Sequence, residues 1–120
     1  MILADTSVWV DHLRLGIPQL AEFLREDQIL IHPLIIEEIA CGRLLNRAEL
    51  LGLLEALPAA PQAEHAEVLD FLAAHRLAGS GIGAVDAHLL CSAKLSGAKI
   101  WSRDRALILA ARRLEIASEN

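Results

Sequence analysis

The sequence predicts an α/β fold, a three-layer α/β/α sandwich around a mostly parallel sheet. Three observations carry this. Apolar runs of strand length stand at Ile2–Ala4, Gln28–Ile31 and Lys99–Trp101. Between them lie longer stretches whose apolar residues recur every three or four positions, the period of a helix packed on one face. Pro and Gly punctuate the joints. Short buried strands alternating with helices are the pattern of parallel sheets covered on both faces.

Strand one is Ile2–Ala4, and it ends on Asp5-Thr6-Ser7. A helix from Thr6 to about Arg14 follows, with Val8, Trp9, His12 and Leu13 on one stripe, and Gly16 stops it. Pro18 suits the first turn of a second helix reaching about Asp27. Strand two is Gln28–Ile31. Pro33 opens a third helix, Leu34 to Arg43, and Asn46 looks like the N-cap of a fourth, Arg47 to about Ala56. Leu57–Pro61 breaks the helical pattern and suits a brief edge strand, where proline is tolerated. Gln62 to about Arg76 reads as a fifth helix.

The loop Ala78–Gly83 is Gly-rich, but it follows no strand and lacks the Lys-Ser/Thr of a phosphate-cradling loop. It reads as an approach to the helix Val85–Ser96, which Gly97 caps. Strand Lys99–Trp101, helix Arg105–Arg113 and an edge strand Leu114–Ile116 complete the order.

At 120 residues the chain suits one domain spanning 1–120, long enough for a substantial core. The hydrophobic fraction of 54% is high and predicts that some apolar surface meets a partner. No apolar run is long enough to cross a bilayer, and no leader of the secretory kind is visible. Cys41 and Cys91 are too few for a disulfide scaffold and lack zinc spacing. Both sit in apolar helical contexts, so buried free thiols and a cytoplasmic location are expected.

The net charge of −5 argues against a general nucleic-acid coat protein. The charge is uneven, however. Lys94, Lys99, Arg103, Arg105, Arg112 and Arg113 crowd one stretch whose only acid is Asp104. That stretch is either a solvated helical face or a patch for phosphates.

Chemistry points to four acids. Asp5 ends strand one, and Asp104 follows the strand at Lys99–Trp101 by three residues. Asp86 lies at a helix start, and Glu38 in the helix after strand two. Parallel strands present their carboxyl ends on one side of the sheet, where ligands bind, so the four can converge. Each also has a purely structural reading. Asp5, Thr6 or Ser7 can cap the next helix, Asp86 can answer a helix dipole, and Glu38 can be a solvated helical acid like Glu37. Two carboxylates about 5 Å apart repel by roughly 1 kcal/mol in water and by several times that inside a protein. A converged set therefore calls for a divalent cation, and oxygen-only donors favour Mg²⁺ or Mn²⁺.

Four spaced segments sharpen this: Asp5-Thr6-Ser7-x-Trp9, Glu38-Ile39-Ala40-Cys41-Gly42, Val85-Asp86-Ala87-His88-Leu89-Leu90 and Trp101-Ser102-Arg103-Asp104. In order and spacing they resemble the PIN domain, and more narrowly its VapC toxin branch. The resemblance spans nearly the whole chain. It implies a metal-dependent ribonuclease, with Asp5, Glu38, Asp86 and Asp104 as the acidic residues and Asp5, Asp86 and Asp104 on Mg²⁺ or Mn²⁺. Glu38 is preferred to Glu37 because the family's Glu stands four residues before a Gly, here Gly42. Glu38 then orients or deprotonates the attacking water.

Thr6, Ser7 and Ser102 hydrogen-bond the carboxylates, Ser102 standing where many members carry Thr. Arg103 and Arg105 hold RNA phosphates. The resemblance also implies a homodimer and a VapB-like antitoxin, for which the apolar helices between Pro18 and Ala56 are the expected groove. His88 is expected at the pocket rim or in a structural role, and Trp9 and Trp101 in the core.

Two other classes compete. A phosphatase with Asp5 as nucleophile lacks the usual second Asp two residues on. A non-catalytic RNA- or protein-binding module on the same fold predicts that the acids are dispensable.

Overall fold

The computed structural model describes residues 1–120. Its order is β1 (Ile2–Ala4), α1 (Thr6–Leu15), α2 (Pro18–Arg25), β2 (Ile29–Leu30), α3 (Pro33–Ala40), α4 (Arg47–Glu55), α5 (His65–Ala74), α6 (Ala84–Ser96), β3 (Lys99–Trp101) and α7 (Arg105–Arg113). The three strands are parallel, and β1 is central, in the order β2-β1-β3. Ile2 pairs with Ile29 on one side and with Lys99 on the other. The carboxyl ends of all three strands therefore share one edge of the sheet.

Successive strand residues point to opposite faces. Leu3 and Ala4 are both fully buried, as are Ile100 and Trp101 nearly so, so both faces of the sheet are covered by helices. A single cluster of 25 buried apolar residues runs through the strands and the inward faces of the helices. Each fully buried Leu or Ile in it contributes about 1.5–3 kcal/mol. Trp9 and Trp101 belong to this core, and Trp101 meets Phe23 edge-to-face at 6.0 Å. No helix is long and apolar enough to cross a membrane.

The expected edge strands are present only as single bridges. Ala59 pairs with Ile31, and Ala117 with Ile100. Pro58 and Pro61 have no N–H, so the first cannot extend into a ladder. What remains is Ile31 N–H to Pro58 O and Ala60 N–H to Ile31 O, at 2.9 and 2.7 Å. At the other edge the N–H groups of Leu114 and Glu115 still close the end of α7, and Glu115 has φ 60°, so pairing starts one register later than expected.

Two helices are shorter than their periodicity suggested. α5 begins at His65 because the Glu67 carboxylate accepts the Glu64 N–H at 3.0 Å, a local stop at the helix entrance. α3 ends at Ala40, where the Arg47 guanidinium donates to Ala40 O and Gly42 O. Cys91 is buried as expected, but Cys41 is exposed. It stands at the C-cap of α3, past the last turn that packs on the core.

Candidate active site

Asp5 follows β1 directly, and its backbone N–H donates to Trp101 O at 2.9 Å, extending the β1–β3 pairing. Its carboxylate is only 5% exposed. Oδ1 accepts from Ser7 Oγ at 2.5 Å and from Val8 N–H at 3.2 Å, and Oδ2 accepts from Ser102 Oγ at 2.6 Å. The same two hydroxyls accept backbone N–H groups, Ser7 from Arg103 and Ser102 from Asp104, each at 2.9 Å. Proton directions follow without choice. A backbone N–H only donates and an ionised carboxylate only accepts, so each hydroxyl receives one bond and passes one to Asp5. Asp5 thus caps α1 and anchors the turn after β3 at once. Burial raises its pKa above the ordinary 3.8, and the Ser102 and Ser7 hydroxyls and the Val8 and Ser7 N–H groups pull it back down.

Asp104 occupies the N-cap position of α7 but makes no side-chain capping bond and is exposed. Its carboxylate is untethered. Asp86, half-buried in the first turn of α6, accepts a long bond from Gly83 N–H at 3.4 Å. Its pKa is raised, first by burial and then by repulsion from Asp104, Asp5 and Glu38, against the Gly83 bond. Those three acids therefore lie near enough to act on Asp86, since exposed charges more than about 8–10 Å apart are largely screened by salt. Glu38 is exposed on α3 and takes the Thr6 hydroxyl at 2.5 Å, which ties the start of α1 to α3.

Asp104, Asp5 and Glu38 each act on Asp86, yet no three His, Cys, Asp or Glu side chains close around a single point as a metal cage. Local bonds explain the spread: Thr6 holds Glu38, Gly83 holds Asp86, and Ser7 and Ser102 hold Asp5. The donor set fits a hard divalent ion in chemistry, being all oxygen, anionic and mutually repelling. Asp5, Asp86 and Asp104 are the residues able to hold one.

The expected phosphate contacts fare unevenly. Arg105 is exposed at the start of α7 with no polar partner. Arg103 instead pairs with Asp11 on α1 at 3.2 Å. Much of the basic stretch is spent on carbonyls at helix ends. Arg113 donates to His75 O and Arg76 O, Lys94 to Leu114 O, and Lys99 to Glu115 O.

One residue at this edge had no role in the sequence reading. His32 follows the end of β2 and caps α3, its Nδ1 accepting Leu34 N–H at 3.1 Å. It is 1% exposed, and its Nε2 has no partner. Burial, and then the nearby His88, lower its pKa. The signal for it was its place, the first residue after a parallel strand and immediately before Pro33. His88 is half-buried and near enough to lower the His32 pKa, and it is not among the groups that shift Asp86.

A PIN domain family model matches residues 2–113, a span that includes all four acids. The chain belongs to the PIN-domain family. It is 48% identical over 108 residues to ribonuclease VapC32 of Mycobacterium tuberculosis, in strains CDC 1551 / Oshkosh and H37Rv alike. That alignment covers 89% of this chain and 87% of the relative. The similarity places this PIN domain in the VapC branch.

Proposed function

We propose that this PIN domain, taken as residues 1–120, is a toxic endoribonuclease of the VapC type that depends on Mg²⁺ or Mn²⁺. The observation that carries the reading is Asp86, whose pKa is raised first by burial and then by Asp104, Asp5 and Glu38, acids from three other segments. A sheet edge that concentrates negative charge in this way is costly unless it serves a cation.

Asp5, Asp86 and Asp104 would hold the ion. When bound, it would supply positive charge to the phosphodiester and lower the pKa of an attacking water. The chain's own residues do the rest. Ser7 and Ser102 offset part of the burial that raises the Asp5 pKa and fix the carboxylate in direction, which a ligand on a rigid strand end needs. Glu38, exposed and steered by Thr6, takes the proton from the attacking water. Arg105 holds a phosphate oxygen of the RNA. Arg103, paired with Asp11, contributes by bracing the turn after β3 against α1.

Regulation follows the same electrostatics. A VapB-like antitoxin placing a basic side chain among the four carboxylates neutralises them and blocks the site. The chain acts as a homodimer, and the exposed Leu53 and Leu69 belong to the apolar surface available for such contacts.

The test is cleavage of structured RNA with Mg²⁺ or Mn²⁺ by Asp5→Asn and Asp104→Asn, each at matched folded fraction. Both variants are expected to lose activity by 100-fold or more, about 3 kcal/mol of barrier, and EDTA to abolish it in the parent chain. Unchanged cleavage in both variants sinks the site, and insensitivity to EDTA sinks the ion.

A further inference from the structure

Between α1 and α3, against the turn that follows α3, lies a hollow of about 260 Å³ whose walls include Val10, Leu13, Arg14, Glu38, Arg43 and Leu44. Glu38 is the connection. It is both a wall of this hollow and a member of the acid group. A strand of RNA whose scissile bond lies at the acids therefore has this hollow as its next surface on the α3 side.

The two arginines are unspent. The chain's side-chain ion pairs join Arg25 to Glu22 and Arg103 to Asp11, and neither Arg14 nor Arg43 makes a hydrogen bond or ion pair. Asp11, one turn before Arg14 on the same helix, is already held by Arg103 at 3.2 Å. Glu38 gives Oε1 to Thr6. Arg47 fixes the turn that carries Arg43 by donating to Ala40 O and Gly42 O, so Arg43 is presented from a braced backbone. Two free guanidiniums at one small hollow, on a chain of net charge −5, form a local positive site. Guanidinium forks match phosphate oxygens, and the exposed Val10 and Leu13 offer an apolar wall to a base or ribose. A helix, about 10 Å across with its side chains, is too wide to enter a hollow of this size.

We propose that Arg14 and Arg43 bind backbone phosphates of single-stranded RNA in this hollow, on the Glu38 side of the cleavage point. The proposal rests on the ribonuclease reading and assigns the path of its substrate. With it, the RNA is held on both sides of the acids, by Arg105 at α7 and by Arg14 and Arg43 at α1 and α3.

The experiment measures binding of a single-stranded RNA oligonucleotide as a function of salt, in an Asp5→Asn background that does not cleave. Adding Arg14→Ala and Arg43→Ala should weaken binding about tenfold. The slope of log affinity against log salt should become shallower by about 0.7 for each arginine. Arg25→Ala with Arg76→Ala removes the same charge elsewhere and should leave the slope unchanged. An Arg14→Lys and Arg43→Lys variant should restore the slope, because slope counts charge, without restoring full affinity.

An unchanged affinity and slope in the alanine variant overturns the proposal, whether or not that variant also loses a protein partner. Equal effects of the two charge-removing pairs overturn it as well. Cleavage by the parent chain is scored separately. If RNA binding depends on Arg14 and Arg43 but nothing is cleaved, the ribonuclease reading falls and the binding surface stands.

Discussion

The ends of β1 and β2 solve the same structural problem with different chemistry. Each strand delivers a buried side chain that turns back and caps the helix it begins. Asp5 accepts Val8 N–H, and His32 accepts Leu34 N–H. Asp5 has every acceptor atom engaged and lies in the four-acid group. His32 has one engaged nitrogen, one buried nitrogen without a partner, and no acid acting on it. A polar residue at a strand end is thus not a site residue by position alone. What separates the two is the neighbour: Asp5 gathers Ser7, Ser102 and three repelling carboxylates, and His32 gathers only His88.

The largest test of that contrast is truncation. Asp5→Ala removes a cap worth about 1 kcal/mol and leaves the buried Ser102 hydroxyl and the half-buried Ser7 hydroxyl without their acceptor, the first costing about 1–3 kcal/mol. His32→Ala loses a cap and opens a cavity in a site that is 1% exposed, a change of about 2–4 kcal/mol. Urea denaturation should therefore show comparable losses. RNA cleavage at matched folded fraction should separate them, vanishing for Asp5→Ala and persisting for His32→Ala. Equal losses of cleavage would place His32 in the active site and erase the distinction.

The two serines on Asp5 allow a finer comparison. Ser102→Ala orphans the buried Asp5 Oδ2 and the Asp104 N–H together, while Ser7→Ala leaves Oδ1 still bonded to Val8 N–H and frees only the exposed Arg103 N–H. Ser102→Ala should cost about 1–3 kcal/mol and Ser7→Ala about 1 kcal/mol or less. Ser102→Thr keeps the hydroxyl and should keep cleavage. The reverse order of stabilities would mean that the β1–α1 cap, not the β1–β3 link, holds Asp5.

The contrast also explains what could be read from the chain. The strands and the helix order were legible because apolar period and Pro/Gly punctuation are local signals. The nearness of Asp5 and Asp104 was legible because parallel strands end on one edge of the sheet. Spending of charge was not legible. Arg113 reaches carbonyls 37 and 38 residues earlier, and Lys99 one 16 residues later. A stretch that looked free for phosphates therefore closes helix ends with three of its six bases, Lys94, Lys99 and Arg113, while Arg14 and Arg43, in stretches with no charge run to mark them, are unspent. The exposure of Cys41 escaped for a related reason. Its neighbours Ile39 and Ala40 are apolar, but the helix stops between them and the next buried surface.

The smallest effect concerns pH, and it sets the two strand ends against each other in sign. Asp5 has a raised pKa, so its ionised form costs stability above that pKa. That cost is relieved as pH falls through the raised value toward 3.8. His32 has a lowered pKa, so its neutral form is favoured on folding. Its contribution is complete above 6.5, the unfolded value, and is lost as pH falls from 6.5 through the lowered folded value. Protonation also takes the Nδ1 lone pair that caps Leu34.

Between neutral pH and the carboxylate range, His32 should therefore weaken the fold while Asp5 does not. Thermal melts in EDTA from pH 7.5 downward check this. Relative to His32→Asn, which keeps a capping oxygen and does not titrate, the parent chain should lose melting temperature steadily below about pH 6.5. Parallel curves for the two proteins would show that His32 titrates alike in the folded and unfolded chain, so that folding does not lower its pKa. The pH sensitivity of this edge would then belong to the acids alone.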